Sequence, residues 1–154
     1  MNVSGEITVK APRAVVFDKL QDAPFFASCV EGVRDLQAVD DRHYTAVMET
    51  RVAYMKFTFK VSVEVVTVAP PDRIAAKIEG TPLGIVGRLN ATSETTLTEV
   101  GDETHIKYTV DVALTGKLGS LGAPVLKSKA KELEKQFGAN LRRAFEPASA
   151  EGAS

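Results

Sequence analysis

The stretch PVLKSKAKELEKQFGANLRRAF, Pro124 to Phe145, decides the fold. Its apolar residues Leu126, Ala130, Leu133, Phe137, Leu141 and Phe145 recur at steps of three and four, which puts them on one side of an α-helix. At about 1.5 Å per residue the segment spans roughly 33 Å, so its stripe needs a cover about as wide as a small domain. Nearly everything before it reads as strand. Together these predict an α+β architecture: a curved antiparallel sheet of about seven strands wrapped around one long C-terminal helix, with two short helices after the first strand.

Immediately upstream, Thr115 to Ala123 (TGKLGSLGA) carries three glycines and runs into Pro124, which predicts a loose or kinked approach to the helix. This approach is expected to border an entrance, with Leu118, Leu121 and Val125 nearer to it than Leu133 and Phe137. Downstream, the residues after Phe145 are small, polar and rich in breakers. A domain over 1–146 and a disordered tail over 147–154 are the expectation.

Further back, alternation governs. Val3, Gly5, Ile7 and Val9 share a face of the first strand, and Pro12 begins a short helix, PRAVVFDKLQ. Asp22 can cap a second helix in which Pro24 takes the first turn and Gly32 marks the end. From Val33 to Leu114 about six strands follow. Phe57, Phe59, Val61, Val63 and Val65 line the dry face of one of them, while Thr58, Lys60, Ser62 and Glu64 line its wet face. Gly80 to Gly87 reads as a break. Leu89 to Thr98 is ambiguous, because neither of its faces is apolar; with Leu89 inward, Ser93 and Thr95 bring hydroxyls into the interior.

The composition excludes several classes. A net charge of −1 gives no reason to propose nucleic acid as a partner. The single cysteine, Cys29, leaves no intramolecular disulfide, and no signal-peptide pattern opens the chain, so a cytoplasmic location is expected. No apolar run approaches the ~18 residues of a bilayer span. No catalytic constellation assembles either: His43 and His105 stand apart beside turns and form no metal site by spacing, and GTPLGIVG matches no phosphate-binding loop. Cys29 lies one turn after Phe25 and reads as a small buried hydrophobe. Lys127, Lys131, Lys135 and Arg142 form a basic stripe on one flank of the last helix, which reads as a solvated face or as a contact for an anionic membrane.

The order of elements resembles the START/Bet v 1-like helix-grip (SRPBCC) superfamily, and within it the chain is similar to the family of the G-type subunit of carbon monoxide dehydrogenase. The residues carrying the likeness are Ala11-Pro12, the CVEG of Cys29 to Gly32, the YTA of Tyr44 to Ala46, the Phe59, Val63, Val65 pattern ending at Pro70-Pro71, and Gly116, Gly122 and Gln136-Phe137. Glu31 stands where the family usually has proline.

The resemblance implies a sheet gripping the helix with a cavity between them. It also implies an accessory protein, not an enzyme, that needs no cofactor or metal and works beside a molybdenum hydroxylase of the carbon monoxide dehydrogenase type. Such a protein binds a hydrophobic or amphipathic small molecule, a quinone or a lipid, peripherally at the inner face of the membrane. The longer C-terminal extension found in many relatives is not expected from the short, non-apolar stretch after Pro147. Candidate ligand contacts are Phe25, Phe26, Cys29, Tyr54, Phe57, Phe59, Ile78, Leu89, Leu118, Leu121 and Val125. Most sit at the ends of elements, where core packing alone does not obviously cover them. Arg51 and Arg88 are candidates for a polar headgroup, and the glycines at 80, 84, 87, 116, 119 and 122 for a mobile mouth. A small cyclase or hydrolase with a hydrophobic substrate, or a ligand-free assembly factor, are the rival expectations.

Overall fold

Alternating strands give the structure, a computed structural model, one antiparallel sheet of seven strands; it describes residues 1–52 and 54–145. The tail expected over 147–154 lies outside the described residues. In chain order the elements are β1 (Asn2–Val9), α1 (Arg13–Gln21), α2 (Ala23–Cys29), β2 (Val33–Ala38), β3 (His43–Val52), β4 (Met55–Ala69), β5 (Arg73–Pro82), β6 (Gly87–Val100) and β7 (Glu103–Gly116). A single 3₁₀ turn, Gly119–Leu121, then leads to α3 (Ala123–Ala144). The strand order is β1-β7-β6-β5-β4-β3-β2, so one long connection through α1 and α2 carries the chain from one sheet edge to the other.

Several boundaries differ from the sequence expectation, each for a local reason. Pro12 is not inside α1 but caps it in an extended conformation. Helix α2 begins as expected, with the Phe25 N–H donating to Asp22 Oδ1 at 3.4 Å, yet it stops at Cys29 because Val30 is already extended. Gly80 does not break β5. It lies opposite Val61 and Leu89, and a Cβ there would come 3.4 Å from Leu89 Cβ, so the glycine makes room for large neighbours within the strand. The break comes only after Pro82.

Register settles the ambiguous strand. Ile74 pairs with Thr95 and Thr95 with Tyr108; Ala76 pairs with Ser93 and Ser93 with Val110. Ser93 and Thr95 therefore share the inward face with Leu89, Ala91 and Leu97.

The core on that face is divided. One cluster joins Ile7, Val9, Val16, Phe17, Cys29, Leu97, Ile106 and Leu141, with Phe137 and Phe145 of the helix end packed on it. The other joins Val52, Phe57, Phe59 and Leu118, with Leu121 and Val125 packed on it. Phe17 and Leu141 are fully buried, each stabilising the fold by about 1.5–3 kcal/mol on area grounds. The backbone of α3 approaches β1 most closely, then β3, and stands further off the strands between them.

Candidate functional site

The two clusters hold the ends of α3 and leave its middle uncommitted. Leu126, Ala130 and Leu133 pack into neither cluster and are half-buried. Facing them, Val63, Ile78, Ser93, Val110 and Val112 on the concave sheet are also half-buried. The physical cause is side-chain size. Ala46, Ala76, Ala91 and Ser93 occupy the middle of the sheet and Ala130 the middle of the helix, so the surfaces that phenylalanines bridge at either end do not meet in between.

This gap is polar on one side. The Tyr108 hydroxyl of β7 donates to Glu134 Oε2 of α3 across the interior, beside Thr95, its cross-strand neighbour. Gly5 on β1 makes room for the pair, since a Cβ there would collide with the tyrosine oxygen and the carboxylate. Burial, then the adjacent Glu134 carboxylate, pushes the Tyr108 phenol far above its ordinary range, so it stays a donor. Among the described residues, the Ser93 and Thr95 hydroxyls have no hydrogen-bond partner in the protein, yet they are not sealed from solvent. The arrangement offers an apolar slot with a carboxylate and two hydroxyls part-way along it.

The expected contact residues divide between the clusters. Phe25 and Cys29 belong to the first, where Phe25 meets Phe145 edge-on with ring centres 5.9 Å apart. Phe26 lies over Phe137 at 5.3 Å and keeps 43% of its surface exposed. Phe57, Phe59, Leu89, Leu118, Leu121 and Val125 gather in the second cluster, and Ile78 lies in the gap. Tyr54, on the β3–β4 turn, is 98% exposed and touches neither cluster.

The glycine-rich approach to α3 is packed rather than open: Leu118 retains only 2% of its exposure. Gly116 and Gly122 adopt positive φ, and that is what the glycines supply there. Leu133, expected in the firm core, faces the gap instead. Sequence reading missed Tyr108 and Glu134 as a pair; a glutamate on the apolar flank of α3, four residues after Ala130, was the available signal.

The remaining candidates are inert or peripheral. Burial pushes the Cys29 thiol up and makes a reactive thiolate unfavourable. His105 lies on the outer face, bonded to Thr8 Oγ1 at 3.0 Å and to Glu6. His43 binds Asp40 in the β2–β3 turn at 2.8 Å. Among the described residues no group of His, Cys, Asp and Glu could hold a metal ion, and no helix is long and apolar enough to cross a membrane. Two open depressions of about 620 and 250 Å³ lie on the outer face, lined by strand side chains such as Lys77, Thr92 and Asp111, away from the gap.

A family model for the G-type subunit of carbon monoxide dehydrogenase (CoxG) matches residues 5–146. A search of curated proteins found no match. Among solved structures, a conserved protein from Geobacillus kaustophilus is 25% identical with a TM-score of 0.85, covering 94% of this chain and 95% of that one. A START superfamily protein from Mycobacterium smegmatis is 16% identical with a TM-score of 0.67, covering 94% and 96%. Ara h 8.0201 is 14% identical with a TM-score of 0.65, covering 94% and 97%. The last two are likenesses of fold alone, and they agree with the helix-grip architecture.

Proposed function

The chain belongs to the CoxG family of carbon monoxide dehydrogenase, and from that premise we propose that it is a non-catalytic binding protein for a hydrophobic or amphipathic small molecule held between sheet and α3. A quinone or a lipid is the ligand class. The protein acts as an accessory of a molybdenum hydroxylase of the carbon monoxide dehydrogenase type, from the cytoplasmic side and peripherally at the membrane surface.

The observation that carries the reading is the unfilled stretch between two packed clusters, with Ser93, Thr95, Tyr108 and Glu134 beside it. Ligand sites are mostly apolar, with a few polar groups that fix orientation. A ring or headgroup oxygen can accept from the Ser93 and Thr95 hydroxyls, and a ligand hydroxyl can donate to the second oxygen of Glu134. The apolar remainder lies along Val63, Ile78, Val110 and Leu133.

Denaturing extraction of gently purified protein, followed by mass spectrometry, is expected to release one apolar compound per chain. Repeatedly empty preparations that also fail to bind an added quinone would remove the reading.

The Tyr108–Glu134 pair also favours one rival, since two ionisable groups within hydrogen-bond reach are what an enzyme of this fold needs. The phenol's upward shift argues against its serving as a base near neutral pH. If the compound released from wild type is a chemically altered form of the one released from Glu134→Gln, catalysis replaces binding as the conclusion.

A further inference from the structure

We propose that the end of the sheet formed by the β3–β4 and β5–β6 turns and the β7–α3 link is the face this protein applies to an anionic membrane surface. The inference deepens the membrane-surface part of the proposed function, and it rests on features that the ligand gap does not use.

The three segments lie side by side. In the antiparallel order, β4 and β5 are neighbours, so their turns adjoin, and the Lys117 N–H donates to Val86 O at 2.9 Å, which fastens the link to the β5–β6 turn. Their tips are apolar without being packed: Tyr54 is 98% exposed, Met55 50%, Leu83 51% and Val86 79%. Large apolar residues gathered on adjoining turns contribute little to folding and a good deal to association.

The charge around them has one sign. Arg51, Lys56, Arg88 and Lys117 flank the tips, and the segments 51–57, 83–88 and 115–127 contain no aspartate or glutamate. The nearest carboxylate, Glu49, is held between Arg34 at 2.5 Å and Lys56 at 3.4 Å. The opposite end of the sheet is acidic, with Asp40, Asp41, Asp72, Glu99, Asp102 and Glu103 on its turns. A chain of net charge −1 is thus strongly polarised, and an anionic surface draws in the basic end and repels the other. Tyrosine and aliphatic tips suit the headgroup boundary, and each neighbouring cation strengthens binding about fivefold.

The test is flotation of the full chain with vesicles of phosphatidylglycerol and phosphatidylethanolamine, against vesicles of phosphatidylcholine, at low and high salt. Wild type is expected to float with the anionic vesicles only and to be released by salt. Arg51→Gln/Lys56→Gln/Arg88→Gln/Lys117→Gln is expected to lose binding by a hundredfold or more, from about fivefold per charge. Tyr54→Ser/Val86→Ser is expected to weaken it at least tenfold. Lys131→Gln/Lys135→Gln/Arg142→Gln, on the exposed flank of α3, is expected to bind as wild type does.

Failure of wild type to bind either vesicle overturns the proposal. So does loss of binding in the α3 variant with retention in the turn variants, or capture of these turns by a protein partner with no vesicle binding. Quinone binding by each variant in solution reads the gap separately, so an empty gap and an inactive surface give distinguishable results.

Discussion

At the residue scale, strand alternation identifies inward side chains wherever one face is apolar. Ile7, Val9, Ile106 and Phe59 follow from it directly. It fails at Ser93 and Thr95, because the face they share with Leu89 and Leu97 is no greasier in sequence than its opposite; only pairing with Ala76 and Tyr108 on either side selects it. Hydrogen-bonded turns are similarly invisible until the chain closes. Asp40 Oδ1 accepts from the backbone N–H groups of Arg42 and His43 and from His43 Nδ1–H, each at 2.8 Å. The bond to Asp40 raises the His43 pKa from 6.5, and the bonds from Arg42 and His43 lower that of Asp40 from 3.8. The signs follow by linkage. The histidine's contribution is full below its unfolded value, about 6.5, and is lost as pH rises through its higher folded value. The aspartate's contribution is present above its unfolded value and lost as pH falls through its lowered one. The difference in Tm between wild type and His43→Gln is expected to be largest between about pH 4 and 6.5 and to shrink toward pH 8. A difference that stays flat across that range would mean that the turn is held by its backbone bonds alone.

At the scale of the element, α3 was legible to within one residue at each end, because its period is unbroken over six turns. Its division of labour was not. Leu133 and Leu141 occupy the same stripe in sequence, yet Leu141 is fully buried against β1 and β7 while Leu133 faces small residues across a gap. What decides this is the size of residues far away in sequence, which periodicity does not report. Two substitutions separate the roles. Leu141→Ala is expected to lower stability by about 2–5 kcal/mol in a denaturant titration, as a cavity in a closed cluster does. Ala130→Phe is expected to leave stability within about 1 kcal/mol of wild type, since its ring enters existing space instead of displacing packed atoms. The same substitution is expected to weaken ligand binding more than tenfold. If Ala130→Phe unfolds the protein as an overpacked core would, the helix and sheet are already in contact there; if binding survives intact, the ligand lies elsewhere.

At the scale of the whole molecule, the helix-grip architecture was legible from one long amphipathic segment after a run of alternating ones, and the family from short motifs spread over most of its length. The open interior between two cores was implied only by that likeness, and its cause lies in the structure. One cluster closes the end near α1 and α2, the other the end near the β7–α3 link, and a ligand lying in the gap touches both. Such a ligand binds the folded chain alone, so it raises stability by RT ln(1 + [L]/Kd), about 2.7 kcal/mol at a hundredfold excess over Kd. A quinone with a side chain long enough to follow Val63 and Ile78 is expected to raise Tm at concentrations where its short-chain analogue has no effect. Replacing Ser93 by Ala and Thr95 by Val removes the two hydroxyls beside the headgroup while keeping shape. That double variant is expected to bind the long-chain quinone about tenfold more weakly, at roughly 1–1.5 kcal/mol of net hydrogen bonding, and to bind a plain hydrocarbon of the same length unchanged. Thermal-shift titrations of the four combinations decide it. Equal losses for quinone and hydrocarbon would assign the effect to packing, and no loss for either would place the headgroup away from β6.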